Sequence, residues 1–501
     1  MHLLELCAGR VPLLLAFGES GAQTRLFDAV CDAFFLHGNT QTPPSALARL
    51  ARTGSVFALD CGSAERAEVL TASGFAITQS LPEGNYTGRF RVQKRSPKPR
   101  MPGPPWPQRS AIVIGAGLAG TAVAASLAKR GWSISLLERE AVPAAGASGN
   151  LAAVFSPLLS LDDGRAARLS RACFLRLLQE LRSLELTAHP AQWQECGVLQ
   201  LPKSASEETQ FRNLVLRHAY PERYVRFLEK QVAEKQIGQL LPSGGWFFEE
   251  GGWVNPPSLC TARIRENSRI KALYGREVQT VQHHAETWSV VSSNGDTIAS
   301  APVLVLANAW EASRLVPGLP IPFKRVRGQV AHLPAGIIPL VGPVLSKDGY
   351  LTPPIHGVHC LGATYDFGSE ARDLTAEAHA KNLDRLPQML PGAPLPSLRA
   401  LQSPEGRVGF RSLTPDRMPI AGALPGDLPV GDASRTTGGD SSPGLYCLLG
   451  LGSRGLVWSS LLGDYVASVI EGSPSPLPLD LAETLNPARF ISGESSRGSS
   501  V

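Results

Sequence analysis

The sequence of 501 residues contains no long apolar run. One of its longer early apolar stretches is VPLLLAF, at residues 11–17. This is far short of the ~18–20 residues that span a bilayer. The N-terminus also lacks the basic segment of a secretory signal. We therefore expect a cytoplasmic protein with no membrane partner.

Clustered cysteines are also absent. The eight cysteines are scattered, and no two of them have the spacing of metal ligands. This pattern predicts free thiols in a reducing compartment, most of them in the core, and no metal site. The cysteines are Cys7, Cys31, Cys61, Cys173, Cys196, Cys260, Cys360 and Cys447.

Charge is modest, since charged residues make up 18% of the chain and hydrophobic residues 43%. This composition excludes a disordered chain, and the length predicts two or three domains. The net charge of +5 permits a nucleic-acid partner but does not require one. No protein partner can be inferred.

A dinucleotide-binding fingerprint begins at Ser110. An apolar strand, Ala111 to Ile114, leads into a glycine-rich turn and a helix that should end at Arg130. In such a turn the first glycine allows the tight bend, the second lets the backbone approach a pyrophosphate, and the third lets helix and strand pack closely. Those glycines are Gly115, Gly117 and Gly120. Glu138, 23 residues after Gly115, is predicted to accept hydrogen bonds from an adenosine ribose and disfavours NADP.

Two later segments favour FAD over NAD. Residues 275–310 predict a β-meander that returns to the nucleotide domain through the strand PVLVLAN, as in flavoproteins of the glutathione-reductase type. Residues 446–470 predict a strand, a glycine-rich loop and a helix, which provide a second helix N-terminus for the flavin end. The pair His283-His284 is expected in the meander's turn, exposed to solvent.

Other segments predict structure more than chemistry. Residues 166–184 predict an amphipathic helix that Asp162 and Asp163 would cap. The basic, proline-rich segment 89–109 has seven Lys and Arg side chains, which would either contact RNA phosphates or form a solvated hinge. The tail after Phe490 is expected to be disordered.

The region before residue 95 predicts alternating strands and helices, in which DAFFLHG is a strand. PSALARLARTG is predicted as a helix closed by its final glycine, Gly54. SVFALDC and FAITQSL are predicted as strands, with the helix ERAEVLTASG between them.

Several strings together resemble one family. They are GASGNLAAVFSPLLSLDDGRAARLSRACF, FKRVRGQVAHLP, GYLTPP, LGATYD, GRVGFRSLTPDRMPIAGALP, GLGSRGLVW and LNPARF. In this order they resemble the FAD-dependent C-terminal domain of the bifunctional tRNA 5-methylaminomethyl-2-thiouridine biosynthesis proteins, within the D-amino-acid oxidase and glycine oxidase clan. The resemblance covers about 110–490. One departure is Asn308-Ala309, where such strands usually end in glycine.

The resemblance implies oxidative removal of the carboxymethyl group from 5-carboxymethylaminomethyl-(2-thio)uridine at the wobble position of tRNA. It also implies three active-site residues, each with a structural alternative. Arg411 would bind the substrate carboxylate, or form an ion pair with Asp416. Arg454 would lie near the flavin, or on the surface, and Tyr350 would contact the carboxylate, or be an ordinary strand aromatic. Arg327 and Gln329 are expected to shape the site.

FAD is the expected cofactor. The residues expected to bind it are Gly115, Gly117, Leu118, Ala119, Gly120, Glu138, Arg139, Ser148, Val278, Gly450, Gly452, Ser453, Gly455 and Leu456.

The predicted fold is mixed α/β: a glutathione-reductase-type, FAD-binding Rossmann domain, an antiparallel-sheet substrate domain and a partial α/β N-terminal region. The predicted FAD-binding domain comprises 110–165, 250–315 and 400–490, and the substrate domain 166–249 and 316–399. The rest of the predicted division consists of the partial N-terminal region at 1–95, a linker at 96–109 and a tail at 491–501.

The first region resembles part of the family's methyltransferase domain. His37, in FLHGNTQTP, replaces the Asp that takes a proton from the amine being methylated. Only 31 residues precede Asp32, and FGESG lacks the setting of an S-adenosylmethionine loop. We expect a remnant that helps to hold tRNA, unless the true chain begins upstream of Met1.

Three rival functions remain open at this stage. They are oxidation of a free small amine without RNA, a non-catalytic RNA-binding flavoprotein, and a bifunctional enzyme that also methylates with S-adenosylmethionine. No catalytic base is evident, but amine oxidation needs a neutral amine more than a dedicated base.

Overall fold

The computed structural model describes residues 2–6, 11–16, 19–27, 29–37, 42–60, 62–91, 106–319, 321–393, 405–425 and 444–490. The chain forms two compact units, one of residues 1–109 and 464–486, the other of 110–463 and 487–501. The linker segment 92–105, the tail 491–501, Cys7, Cys61 and residues 38–41 of the FLHGNTQTP loop lie outside the described residues.

The first unit begins with a β-hairpin, followed by a four-stranded sheet of order β3-β4-β6-β5. Its elements are β1 (His2–Leu6), β2 (Val11–Leu15), α1 (Ser20–Leu26), β3 (Cys31–His37), α2 (Pro44–Leu50), β4 (Ala51–Asp60), α3 (Ala64–Ala72), β5 (Phe75–Leu81) and β6 (Asn85–Phe90). β3 and β4 are parallel, and the other two pairs are antiparallel.

Aromatic packing around Phe75 forms the core of this sheet. The Phe75 ring centroid lies 5.7, 5.5 and 4.9 Å from those of Phe34, Phe57 and Phe90. Ring pairs at these distances are favourable beyond the area they bury. His37 ends β3, where its Nδ1 lies 2.6 Å from Asp60 Oδ2.

One predicted boundary in this region is wrong. The helix predicted for PSALARLARTG ends at Leu50, and Ala51 already begins β4. Gly54 adopts a left-handed φ of +88° inside that strand and does not cap a helix. The tertiary pairing of β4 with β3 overrides the local helix propensity of the segment.

The second unit begins with the predicted strand, turn and helix. Its first elements are β7 (Ser110–Ile114), α4 (Leu118–Lys129), β8 (Ser133–Leu137), β9 (Ala153–Phe155), α5 (Arg165–Leu184), β10 (Trp193–Gln194), β11 (Val198–Gln200), α6 (Ala205–His218), β12 (Arg226–Leu228), α7 (Lys230–Ile237), β13 (Gly245–Phe248), β14 (Gly252–Val254), α8 (Pro256–Arg265) and β15 (Ile270–Leu273).

The later elements begin with the three antiparallel strands of the predicted meander, β16 to β18. In chain order, the later elements are β16 (Thr280–His284), β17 (Thr287–Val291), β18 (Thr297–Ala301), β19 (Val303–Leu306), α9 (Ala312–Leu315), β20 (Lys324–Pro334), β21 (Val344–Ser346), β22 (Tyr350–Leu351), β23 (Val358–Gly362), β24 (Asp366–Phe367), α10 (Ala376–Leu383), α11 (Leu386–Met389), β25 (Glu405–Leu413), β26 (Ile420–Ala423), β27 (Leu445–Leu449), α12 (Gly455–Glu471) and α13 (Leu479–Glu483). α13 and the end of α12, from Asp464, belong to the first unit.

Two large sheets organise the second unit. A six-stranded sheet has the order β15-β8-β7-β19-β27-β26, and its pairs are parallel except for β26 with β27. β19 is buried at every residue, as expected for a parallel strand covered on both faces. A nine-stranded, largely antiparallel sheet contains β11–β13 and β20–β25. The predicted mixed α/β class is thereby confirmed.

The predicted domain division remains a prediction. The pairing of β25 shows to which of the two large sheets this strand belongs. Glu405–Leu413 pairs with β20 over nine register positions and so belongs to the nine-stranded sheet. The prediction assigned this segment to the FAD-binding domain. β25 is therefore part of the nine-stranded sheet and is not a strand of the six-stranded sheet.

One local prediction, for the cap of α5, is wrong, and another, for the histidine pair, holds only in part because His284 is exposed but both residues belong to a strand. Gly164 is the N-cap of α5, while Asp163 instead forms an ion pair with Arg171 at 2.8 Å. Neither Asp162 nor Asp163 caps the helix. His283 and His284 lie at the end of β16, before the turn, and the His283 ring packs 4.6 Å from the Trp288 ring.

Among the described residues, no helix has the length and apolar character needed to cross a membrane. The six described cysteines are free thiols, and four of them are buried.

A buried ion pair joins the helices around α4. Arg263 on α8 donates to both carboxylate oxygens of Glu180 on α5, at 2.9 and 2.8 Å. It also donates to Leu118 O at the start of α4 and to Ser459 and Ser460 on α12. Burial raises the pKa of the Glu180 carboxyl, but the Arg263 guanidinium outweighs burial and holds that pKa well below its usual range.

We expect Arg263→Met to lower the free energy of unfolding by about 3–5 kcal/mol at pH 7, because it removes the guanidinium that donates to both oxygens of the buried Glu180 carboxylate. The stability from a carboxyl with a lowered pKa is present above its unfolded pKa and is lost as the pH falls. The deficit of the variant should therefore shrink toward acidic pH, because the buried Glu180 carboxyl takes up a proton more readily without the Arg263 guanidinium than with it. Urea unfolding followed by circular dichroism measures both effects.

Arg182→Met is the matched control on α5, because Arg182 is half exposed and pairs with Glu195 and Glu250 near the surface. Surface ion pairs contribute about 0–1 kcal/mol. Equal losses in the two variants would contradict the structural role of Arg263.

Candidate active site

The glycine-rich turn between β7 and α4 is tightly packed against backbone. A Cβ at Gly115 would lie 2.7 Å from Ala307 O, and Gly115 has a left-handed φ of +104°. A Cβ at Gly120 would lie 1.8 Å from Gly115 O. Only glycine fits at either position, as the fingerprint requires.

The N-terminus of α4 lines a cavity. Gly117 is its N-cap and has no side chain, so Ser148 provides the hydroxyl: its Oγ accepts from Leu118 N at 3.1 Å. Leu118 and Ala119 line a cavity of about 410 Å³ together with Gly117 and Ser148. A helix N-terminus with exposed backbone N–H groups is a binding site for a phosphate.

Glu138, at the end of β8, is held by the backbone of the turn. Its Oε2 accepts from Ala116 N at 2.9 Å, and its Oε1 accepts from Glu140 N at 3.1 Å. Glu138, Arg139 and Val278 line another cavity, of about 380 Å³. This is where the adenosine ribose of a dinucleotide would bind.

The two cavities share one wall, because Gly117, Ser148, Ala309 and Phe410 contribute to both. The larger cavity is also lined by the loop after β27, in which Gly450 and Gly452 adopt left-handed φ values of +67° and +57°. The other predicted cofactor residues of this loop that line it are Ser453, Gly455 and Leu456.

These features fit an extended dinucleotide such as FAD. Two helix N-termini, those of α4 and α12, border the cavities, which lie on either side of the shared lining residues. Asn308 adds an unused acceptor: its Oδ1 is buried without a hydrogen-bond partner in the described structure, and Asn308 lines the smaller cavity. An unpaired buried oxygen of this kind indicates a missing ligand group.

The Asn308-Ala309 departure has a backbone explanation. Ala309 adopts a left-handed φ of +58° immediately after Asn308. The turn therefore keeps the conformation that glycine would favour, at a cost to alanine of about 1–2 kcal/mol.

Arg411 lies on β25 and lines the larger cavity. Its Nη1 donates to Thr364 O at 3.0 Å, and burial lowers the pKa of the guanidinium. It forms no ion pair with an acidic side chain within the described structure. The alternative partner, Asp416, instead pairs with Arg489 at 2.8 Å.

Arg454 lines the same cavity from the loop before α12, and it is not a surface residue. Its Nη1 donates to Ser156 O at 3.2 Å, and burial lowers the pKa of the guanidinium to about 10. No ion pair to Arg454 occurs among the described residues. The cavity therefore contains two desolvated cations that would each be stabilised by a bound anion.

Tyr350 completes this group from β22. Its hydroxyl donates to Ala152 O at 3.3 Å, and burial raises the pKa of the phenol above its usual range. The hydroxyl is therefore protonated at neutral pH and can act as a hydrogen-bond donor.

Arg327 and Gln329 lie behind the site and are not among the residues that line the two described cavities. Arg327 is 1% exposed and donates to Ala371 O, Gln329 Oε1 and Asp373 O. Gln329 donates in turn to Thr375 O. Both residues fix the segment before α10.

Arg407 is a site residue that the sequence reasoning missed. Its Nη2 donates to Ala145 O and, at 2.7 Å, to Gly146 O, in the loop that contains Ser148. Alternation along β25 places Arg407, Gly409 and Arg411 on one face of the strand, and this period-two pattern was the available signal.

We expect Ser148→Ala to weaken FAD binding by roughly two- to tenfold, because it removes a hydrogen bond worth about 0.5–1.5 kcal/mol at the α4 N-terminus. Fluorescence titration of the apoprotein with FAD measures the affinity. Ser183→Ala, an exposed serine on α5, is the matched control. Unchanged FAD affinity in the Ser148 variant would remove its hydroxyl from the cofactor site.

Comparison with known proteins places these features in a family. Residues 110–469 match the model of the FAD dependent oxidoreductase family. The fold is shared with the glycine oxidase of Geobacillus kaustophilus, with a TM-score of 0.59 and 22% identity over 76% of this chain and 99% of that one. It is also shared with an iminodiacetate oxidase of Chelativorans sp. BNC1, with a TM-score of 0.60 and 21% identity over 75% of this chain and 98% of that one.

Two full-length relatives share more sequence. The tRNA 5-methylaminomethyl-2-thiouridine biosynthesis bifunctional protein MnmC of Azoarcus sp. strain BH72 is 37% identical over 98% of this chain and 78% of its own length. The protein of the same name from Aromatoleum aromaticum is 38% identical, with the same shares covered. The prediction of FAD as the cofactor is confirmed. The chain belongs to the FAD-dependent oxidoreductase family and, within it, to the family of these tRNA 5-methylaminomethyl-2-thiouridine biosynthesis proteins.

Proposed function

We propose that this protein oxidatively removes the carboxymethyl group from 5-carboxymethylaminomethyl-(2-thio)uridine at the wobble position of tRNA, which leaves a 5-aminomethyl uridine. The observation that supports this substrate class is one cavity that combines the second helix N-terminus with Arg411, Arg454 and Tyr350. The names of the relatives, which refer to biosynthesis of a modified tRNA uridine, support the same assignment. Because the proposed substrate is a tRNA, we propose a cytoplasmic location.

The group to be removed is an N-alkylated glycine. FAD, when bound, supplies the acceptor for the hydride that the glycine methylene loses next to nitrogen. The resulting carbon–nitrogen double bond of the substrate adds water, and the carbon–nitrogen bond then breaks. Glyoxylate leaves with the oxygen of that water, and the nitrogen stays on the uridine as a primary amine.

The role of the protein is to hold the carboxylate of this glycine unit. Arg411 and Arg454 are both desolvated and lack acidic partners within the described residues, so a carboxylate stabilises both charges. The Tyr350 hydroxyl, which remains protonated, can turn its single proton from Ala152 O to the carboxylate. Fixing the carboxylate orients the adjacent methylene.

No side chain is required to remove a proton from carbon, because the carbon–hydrogen bond breaks with loss of hydride. The substrate nitrogen must be neutral for this loss. The desolvated guanidinium groups favour that state, because positive charge on a nearby ammonium would be repelled.

We expect mass spectrometry of nucleosides from carboxymethylaminomethyl-bearing tRNA to show conversion to the aminomethyl form, with one glyoxylate released per base. The purified protein should be yellow, and its flavin should be reduced by this tRNA without oxygen. Faster oxidation of free glycine or sarcosine than of the tRNA would contradict the proposal and favour an oxidase of free amines. Binding of S-adenosylmethionine, measured by calorimetry, would support the further methylating activity.

We expect Arg411→Ala to retain FAD but to lower kcat/KM by about 10- to 150-fold, because a hydrogen bond to a charged group contributes about 1.5–3 kcal/mol. Arg269→Ala, an exposed arginine, is the matched control. Steady-state oxidation of the modified tRNA measures the difference. Wild-type activity in the Arg411 variant would exclude this side chain as the carboxylate ligand.

A further inference from the structure

Two neighbouring aromatic side chains are exposed to solvent, and one of them, Tyr365, lines the larger cavity. Phe367 is 61% exposed and Tyr365 is 38% exposed. Their rings pack edge to face, with centroids 5.4 Å apart. Large aromatic side chains this exposed and adjacent lose hydrophobic stabilisation, which indicates a binding role.

The backbone of β24 and the contacts of Asp366 fix the direction of the two aromatic side chains. Asp366, between the two aromatic residues, points to the opposite side of the strand, as alternation along a strand requires. Its Oδ2 accepts from Thr364 Oγ1 at 2.9 Å and from the buried Arg327 Nη1 at 3.3 Å. β24 is also paired to β20 at Val326 and Arg327. The aromatic rings are therefore held outward by a fixed strand.

The pair continues the candidate substrate site. Tyr365 lines the larger cavity, and its ring centroid lies 5.1 Å from Cζ of Arg411. Arg411 in turn donates to the carbonyl of Thr364, the residue before Tyr365. The contacts therefore run from the expected carboxylate ligand, Arg411, to Tyr365 in the cavity lining and from Tyr365 to the more exposed Phe367.

We propose that Tyr365 and Phe367 form a stacking platform for unpaired bases of the RNA substrate. The inference rests on the proposed function. A methylene, an amine and a second methylene separate the substrate carboxylate from its uracil ring. A carboxylate on Arg411 therefore brings the uracil to Tyr365, and the neighbouring base of the strand to Phe367.

The platform fits a single-stranded nucleic acid better than a protein partner. Bases of RNA loops are recognised by stacking on aromatic rings, which tolerates any base because each has a π face. Tyr365 lines the cavity, so a group that stacks on its ring must be attached to the molecule that enters the cavity. A base linked to the reacting side chain meets this condition.

The test compares Phe367→Ala and Tyr365→Ala with wild-type holoenzyme on two substrates. One is the anticodon stem-loop with the carboxymethylaminomethyl uridine, and the other is sarcosine, which has no base. Stacking energies of about 1–3 kcal/mol per base predict that each variant raises KM for the RNA by roughly five- to 150-fold. Sarcosine oxidation by Phe367→Ala should be unchanged, because this ring lies outside the cavity lining.

Conservative and distant variants separate stacking from structural damage. Tyr365→Phe retains the ring and should keep an RNA KM close to that of wild type. Leu216→Ala removes a side chain that is 78% exposed on α6 and should leave both substrates unaffected. A stem-loop with 2-aminopurine beside the wobble base should lose fluorescence on wild-type protein and regain it on Phe367→Ala.

The outcomes distinguish this inference from the proposed function. If wild-type protein oxidises the stem-loop and both alanine variants keep its KM and the quenching, the platform is wrong and the proposed function stands. If the stem-loop binds and quenches through Phe367 but is not oxidised, the platform stands and the proposed function is wrong. If the wild-type protein neither binds nor oxidises it, both are wrong.

Discussion

The interaction on which the cofactor site depends is the hydrogen-bonded pair of Arg263 and Glu180. The guanidinium is 1% exposed, and besides the carboxylate it reaches the first residue of α4 and two serines of α12. The two helices whose N-termini border the cavities are thereby tied to one buried charge. A charge in that position must be fully paired, and its pairing fixes the geometry of the helix ends.

The two arginines that line the larger cavity differ from Arg263 because they have no carboxylate partner among the described residues. Arg411 and Arg454 donate to single carbonyl oxygens, at 3.0 and 3.2 Å, and burial lowers the pKa of each. Their charge is left uncompensated by the described protein, which makes an incoming carboxylate favourable. Arg263 has a carboxylate partner, whereas Arg411 and Arg454 have only carbonyl partners among the described residues, although burial disfavours the charge of all three.

Local sequence patterns predicted the parts of the site that are themselves local. The glycine turn, the α4 helix and the loop after β27 follow from spacing and backbone freedom within a few residues. The Arg263 pair could not be predicted in this way, because its partners are 83 residues apart and meet only through helix packing. The predicted end of α2 was wrong for a related reason, because the pairing of Ala51 with β3 outweighed the helix propensity of the segment. Tyr365 required the register of the β20 ladder, which no single-strand pattern contains, whereas the period-two pattern of β25 could have shown Arg407 on the face of Arg411.

That register sets the changes that β25 can tolerate. Arg407 holds the Ser148 loop and Arg411 lines the substrate cavity from one face of the same strand, paired residue by residue with β20. Loss of a single residue that shifts the whole strand by one register position would turn both guanidinium groups to the opposite face and bring neighbouring side chains such as Val408 or Phe410 into their places. Cofactor and substrate binding would then fail together, whereas substitutions that keep the length of the strand would affect them separately.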